Sequence, residues 1–270
     1  CIALGSSQGA HDGLGTLSTF LSGIASSPGI AMVVAAGNEG NARRHFSGKV
    51  NPTTGYDTVE LNVGENERGF TMELWGTSPD MYTIDILSPT GEYIPRISVG
   101  RNEHREITFI FEATVIYIDY QMTESQSGRQ LILIRFENPT SGIWRFNVYE
   151  RRGLNLGFNI WLPMDGFISD DTYFIRSDPN TTILTLGNAE NVLTVTAYND
   201  ADDSLYLNSS RGYTVIGRVK PEVAAPGVNI IGPTLTGGFA SYTGTSVSAA
   251  HTTGIAAMLL EWAVVNNRLP

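Results

Sequence analysis

The chain's 270 residues, 41% of them hydrophobic, suffice for one large core or two smaller ones, and no run of about 18 apolar residues marks a transmembrane helix. A formal charge of −10 argues against a nucleic-acid partner, which would require clustered Lys and Arg, and no membrane partner is expected. The single cysteine, Cys1, excludes an intramolecular disulfide and a cysteine-rich metal site.

Residues Cys1 to Ser7 read as the end of a buried strand running into a loop, with no initiator Met and no signal peptide. Residue 1 is therefore expected to be an internal point of a longer protein. Ile2 to Leu4 form a short apolar run, and Leu17, Phe20, Leu21 and Ile24 then recur at helical spacing until Pro28-Gly29 ends the helix. The unbroken run from Ile30 to Ala36 predicts a strand buried on both faces of a parallel sheet. Residues 1–44 thus read as one βαβ unit.

Over 45–178 the texture changes to short, alternating, aromatic-rich strands: 58–63, 82–87, 106–111, 130–136 and 143–149. Ser88-Pro89-Thr90-Gly91 and Asn138-Pro139-Thr140-Ser141-Gly142 supply turns between them, and no convincing amphipathic helix interrupts the series. This predicts an antiparallel β-sandwich of the jelly-roll kind. Over 179–270 the α/β texture returns, with a buried strand at Asn191 to Ala197 and a long helix from Ser246 carrying Ile255, Met258, Leu259 and Trp262 on its apolar side. The fold class is α/β, a partial parallel sheet with helices interrupted by an inserted β-sandwich.

The segment Ser241 to Gly254 is the most informative. Its small residues before a helix allow a tight turn that places Ser246 at the helix N-terminus, where free backbone N–H groups and the positive end of the dipole favour developing negative charge. Such a serine suits a nucleophile, and equally Thr245 and Ser246 suit a simple helix cap.

Gly244 to Gly254 resembles the nucleophile segment of the subtilisin-like serine proteases. Two further segments agree: Val33 to Gly40 is similar to the strand and loop bearing that family's oxyanion-hole asparagine, which falls on Asn38. Ser209 to Gly212 with Lys220 to Val228 resembles the stretch preceding the nucleophile. The resemblance covers about 1–44 and 179–270. It departs from the family at Val247-Ser248 and at Ala250, where a proline is usual.

The resemblance implies an endopeptidase in which Ser246 attacks a peptide carbonyl while Asn38 and the Ser246 N–H hold the oxyanion. It also implies that Ala3, Leu4 and Gly5 pair with the substrate backbone and that Ala35, Ala36 and Gly37 line the primary specificity pocket. Purely structural strands are the alternative for both. The family's activating histidine and aspartate belong to segments preceding residue 1, so the missing N-terminal part of the same protein is an expected partner, alongside a protein or peptide substrate.

None of the four histidines matches the base: His251 lies five residues along the helix and points away, His11-Asp12 are adjacent on a loop, and His45 and His104 read as surface residues of the sandwich. The isolated chain is expected to be inactive and to self-associate through an uncovered apolar flank.

A jelly-roll insertion after the asparagine is similar to the clostridial Csp germination proteases, which implies a secreted or spore-associated bacterial protein. Some members of that group are regulators that have lost catalytic residues, so a pseudoprotease or protein-binding module is the competing reading. A third is a carbohydrate-binding sandwich with Trp75, Trp144 and Trp161 as platforms, against which stands their use as core aromatics. No cofactor is expected. Structural calcium at Asp170-Asp171 or Asp202-Asp203 competes with a solvated-loop reading and is left unassigned.

Overall fold

The computed structural model describes residues 1–98 and 103–266. Contacts divide the chain into two compact units, one of residues 1–41 with 179–270 and one of 42–178.

In chain order the elements are α1 (Thr16–Ala25), β1 (Val33–Ala35), β2 (His45–Gly48), β3 (Asp57–Val63), β4 (Gly69–Gly76), β5 (Tyr82–Leu87) and β6 (Tyr93–Ile94). Then follow β7 (Glu103–Thr108), β8 (Val115–Gln121), β9 (Gln130–Glu137), β10 (Gly142–Glu150), β11 (Phe158–Trp161) and β12 (Tyr173–Phe174). The last are β13 (Leu193–Asn199), β14 (Ser204–Leu205), β15 (Val223–Pro226), β16 (Ile230–Pro233), β17 (Phe239–Tyr242) and α2 (Thr245–Leu260).

In the α/β unit, β13 pairs in parallel with β1 and with β15, while β14 adds antiparallel to the end of β13. The parallel core is built from small and β-branched residues: Val33, Ala35, Val195 and Ala225 pack with Ala249 of α2. On the other side, Leu21 of α1 packs with Val34, Leu186, Ala189 and Val192.

Several expectations shift here. The strand at Ile2 to Leu4 reduces to one parallel bridge, Ile2 to Val34, and Leu4 is 71% exposed. The buried run from Ile30 to Ala36 becomes the three-residue β1, since Ile30 lies in a loop and is exposed. In α1 only Ser18 and Leu21 are buried, whereas Leu17 and Phe20 face outward.

The expected apolar side of α2 is also corrected. Thr245, Ser248, Ala249 and Thr252 are the buried residues, and Ile255, Met258, Leu259 and Trp262 are exposed. The physical reason is close approach, because small side chains let the first turns of the helix lie directly on β1, β13 and β15. Ser248 strengthens that seat by donating its hydroxyl to the Ala225 carbonyl at 2.9 Å.

The inserted unit is an antiparallel sandwich. One sheet has the order β12-β3-β10-β5-β6 and the other β2-β11-β4-β9-β8-β7. Alternate residues of each strand enter one core containing Phe46, Leu61, Met72, Ile84, Phe136, Trp144, Phe146 and Phe158. The strand expected at 106–111 lies at 103–108 instead, and β2, β4, β8 and β11 add to the strands that alternation predicts.

The three tryptophans read as sugar platforms are buried, which places them in the packing of the sandwich and removes them from its surface. His45, expected at the surface, is buried too: its ring stacks on Trp161 at 4.8 Å and bonds the Asp178 carbonyl and Asn159 Oδ1. His104 is exposed and pairs with Asp119 at 2.6 Å.

Candidate active site

The site is built where α2 begins. Gly244 precedes the helix with φ +145°, a conformation that side-chain-bearing residues rarely adopt, and its N–H donates to the Gly227 carbonyl at 2.8 Å. A Cβ on Gly244 would also stand 3.2 Å from the amide nitrogen of Asn38. Glycine therefore lets the helix start turn sharply beside that side chain.

Thr245, the first residue of the helix, fixes the Asn38 amide. The Thr245 backbone N–H donates to Asn38 Oδ1 at 3.1 Å and the Thr245 hydroxyl donates to the same oxygen at 3.3 Å. The hydroxyl oxygen in turn accepts the Gly37 N–H at 3.0 Å. A backbone N–H can only donate, so the oxygen of the amide is committed to Thr245 and the NH2 end must face elsewhere. Asn38 itself is exposed.

Sequence reasoning singles out Asn38 and Ser246 but gives Thr245 no part beyond a cap. The only available signal is its place immediately before the serine.

Ser246 follows in the first turn, partly exposed, and its hydroxyl donates to the Ala3 carbonyl at 3.2 Å. Early N–H groups of a helix lack partners one turn back; here that of Thr245 is taken by Asn38 and that of Val247 by the Gly244 carbonyl, which leaves the Ser246 N–H as the donor beside this hydroxyl. The parallel bridge from Ile2 to Val34 carries Ala3, Leu4 and Gly5 alongside Ala35, Ala36 and Gly37. All seven sequence-chosen residues, Ala3, Leu4, Gly5, Ala36, Gly37, Asn38 and Ser246, thus come from two adjacent backbone segments and the start of one helix.

The histidines take other places. His11 is buried with Nδ1 at 2.9 Å from the Ile183 carbonyl and Nε2 at 2.8 Å from the Ser7 carbonyl, so both ring nitrogens brace a loop. His251 has Nδ1 at 3.1 Å from the Pro226 carbonyl. The hydrogen bond described for Ser246 goes to a backbone carbonyl, not to a ring nitrogen.

Among the described residues no group of three or more His, Cys, Asp or Glu is placed to hold a metal ion. Asp170 pairs with Arg44 at 2.8 Å, and Asp202 accepts the Ser204 N–H and hydroxyl in a tight turn. Among the described residues no helix is long and apolar enough to cross a membrane.

Comparison with known proteins bears on the family and the fold. The model of the subtilase family, a peptidase family, matches residues 171–266. The serine protease AprX of Bacillus subtilis (strain 168) is 46% identical over 63 residues, which is 21% of this chain and 14% of AprX. The structure of the Clostridium perfringens CspB protease superposes with a TM-score of 0.88 at 28% identity, over 98% of this chain and 55% of that one. The chain therefore spans about half the length of that solved protein. In its segments, its fold and these matches the chain resembles the subtilisin-like proteases, with a subtilase-like α/β fold interrupted by an inserted β domain.

Proposed function

We propose that this chain supplies the nucleophile and oxyanion-binding part of a serine endopeptidase. The observation that carries the reading is the Thr245 clamp on Asn38, which ties the oxygen end of the amide to the residue before Ser246 at a helix N-terminus and so turns the NH2 end the other way. Ser246 Oγ attacks the peptide carbonyl, and the Asn38 NH2 with the Ser246 N–H stabilises the tetrahedral oxyanion. Collapse of that intermediate breaks the C–N bond and releases the amine, which takes the serine's proton from the base, and water then hydrolyses the acyl-enzyme, freeing the carboxylate and restoring the Ser246 hydroxyl.

The hydroxyl needs a base, and in this reading a histidine oriented by an aspartate comes from polypeptide of the same protein outside these 270 residues. The shares of the relatives covered, 55% of CspB and 14% of AprX, leave length for it. Apolar side chains exposed on α1, on α2 and just beyond α2, among them Phe20, Met258 and Trp262, offer surface for that polypeptide to cover.

A fluorophosphonate probe, which reacts with an activated serine, tests the reading. It should label Ser246 in the longer protein, fail on Ser246→Ala, and fail on the isolated 270-residue chain. Absence of labelling in the longer protein would sink the protease reading in favour of a pseudoprotease or binding module. Rapid labelling of the isolated chain would show that one of its own residues activates the serine.

A further inference from the structure

The stretch Ser209 to Gly212 stands out in the sequence, and the proposed reaction gives it no part. In the fold it lies against the loop that carries Asn38, where Asn38 is exposed between buried Gly37 and Glu39.

One residue of that stretch bonds the backbone on both sides of Asn38. The Ser210 N–H donates to the Gly37 carbonyl at 2.8 Å, and the Ser210 hydroxyl oxygen accepts the Glu39 N–H at 3.0 Å. The carbonyl belongs to the peptide plane that enters the Asn38 Cα, and the N–H belongs to the plane that leaves it. Each plane is rigid, so only φ and ψ of Asn38 lie between them. Holding both planes on one residue fixes both angles, and with them the direction of the Asn38 Cα–Cβ bond.

Ser210 is itself anchored. It is buried, as is Ser209 before it, whose hydroxyl oxygen accepts the Ala197 N–H of β13 at 2.9 Å and lies 2.6 Å from the Thr196 hydroxyl. Arg211 after it donates its N–H to the Thr182 hydroxyl oxygen and accepts the Thr182 N–H on its carbonyl, each at 2.9 Å. The Gly40 N–H adds a bond to the Asn208 carbonyl at 2.9 Å. The two loops approach so closely that a Cβ on Gly37 would stand 2.8 Å from Ser210 Oγ, and one on Gly40 would collide with the Ser209 carbonyl.

The Asn38 amide is thus held at both ends. Thr245 takes its oxygen, and Ser210 fixes the backbone from which it springs. With the clamp on the oxygen alone, the NH2 end would shift with every movement of the Asn38 Cα.

We propose that Ser210 is a positioning residue of the site: its hydroxyl, by holding the Glu39 N–H, keeps the Asn38 amide aimed at the oxygen of the attacked carbonyl. This inference rests on the proposed function.

The test reads the kinetics of fluorophosphonate labelling in the longer protein. Ser246 Oγ bonds to phosphorus and displaces fluoride, the serine proton passes to the base, and the phosphoryl oxygen gains charge as a carbonyl oxygen would. Ser210→Ala should lower the limiting labelling rate about 10-fold at an unchanged half-saturating probe concentration. A misaimed donor costs less than the about 10²–10³ of a deleted one. Ser210→Cys, close in shape but a weaker acceptor, should fall between serine and alanine, and serves if the alanine variant does not fold. With Asn38→Ala already in place, Ser210→Ala should cost nothing further.

A hydroxyl that only supported the fold would lower labelling by the same factor with or without the Asn38 amide. That result, or an unchanged limiting rate in Ser210→Ala, overturns the inference and leaves the proposed function standing. If the unsubstituted longer protein is not labelled at Ser246, the proposed function falls and the inference falls with it.

Discussion

In the proposed reaction the part played by Asn38 depends on which end of its planar amide faces the substrate. The two donors of Thr245 decide this, and the Gly37 N–H keeps the threonine hydroxyl turned toward the asparagine. In the longer protein Asn38→Ala should lower kcat by about 10²–10³ with little change in KM, since the lost hydrogen bond matters most when charge develops on the oxygen. Thr245→Val should also lower kcat, and should cost nothing further when Asn38 is already alanine. Additive losses in that double-mutant cycle would show that the threonine acts independently of the amide.

Ser246 and Asn38 stand out in the sequence because each sits in a short local word, Gly244-Thr245-Ser246 and Ala36-Gly37-Asn38. The part played by Thr245 does not, since its partner is 207 positions away along the chain.

For the elements, α2 shows how small side chains position a site. Ala249 is fully buried against Val33, Ala35, Val195 and Ala225, so Ala249→Leu has no space without lifting the helix from the sheet. It should destabilise the α/β unit by about 1–3 kcal/mol in urea titration, the usual cost of overpacking, and should lower fluorophosphonate labelling of the longer protein as Ser246 shifts. Unchanged stability would mean that the helix is not seated as described.

The sandwich depends instead on large side chains. Trp144 is fully buried, makes edge contacts with Phe109 and Phe136, and donates its indole N–H to the Thr140 carbonyl at 2.9 Å. Trp144→Ala should cost about 3–5 kcal/mol, measured as a lowered urea midpoint followed by near-UV circular dichroism. Alternation also marks β4, where Phe70, Met72 and Leu74 alternate with Thr71 and Glu73, although the expected strands did not include it, whereas β11 is too short at four residues to show the pattern.

For the molecule as a whole, its exposed apolar side chains have consequences. Leu17 and Phe20 on α1, and Met258, Leu259 and Trp262 at the end of α2 and just beyond it, all lie open to solvent. Sedimentation velocity of the isolated chain should show concentration-dependent association, reduced by Phe20→Ser combined with Met258→Ser and Trp262→Ser. A monomer at every concentration tested would refute it.

The sequence by itself determined the two textures, parallel α/β at both ends and alternating strands between them, because strand and helix periodicities are properties of neighbouring residues. It also determined the glycine-bounded words around Asn38 and Ser246, since a tight turn needs its small residues within the turn itself. Only the tertiary structure decided which face of α2 is buried, that His45 and the tryptophans lie inside the sandwich, and that Ser210 bonds the backbone on both sides of Asn38. Each of these rests on contacts between residues far apart in the chain, where geometry and space, not local pattern, choose the partner.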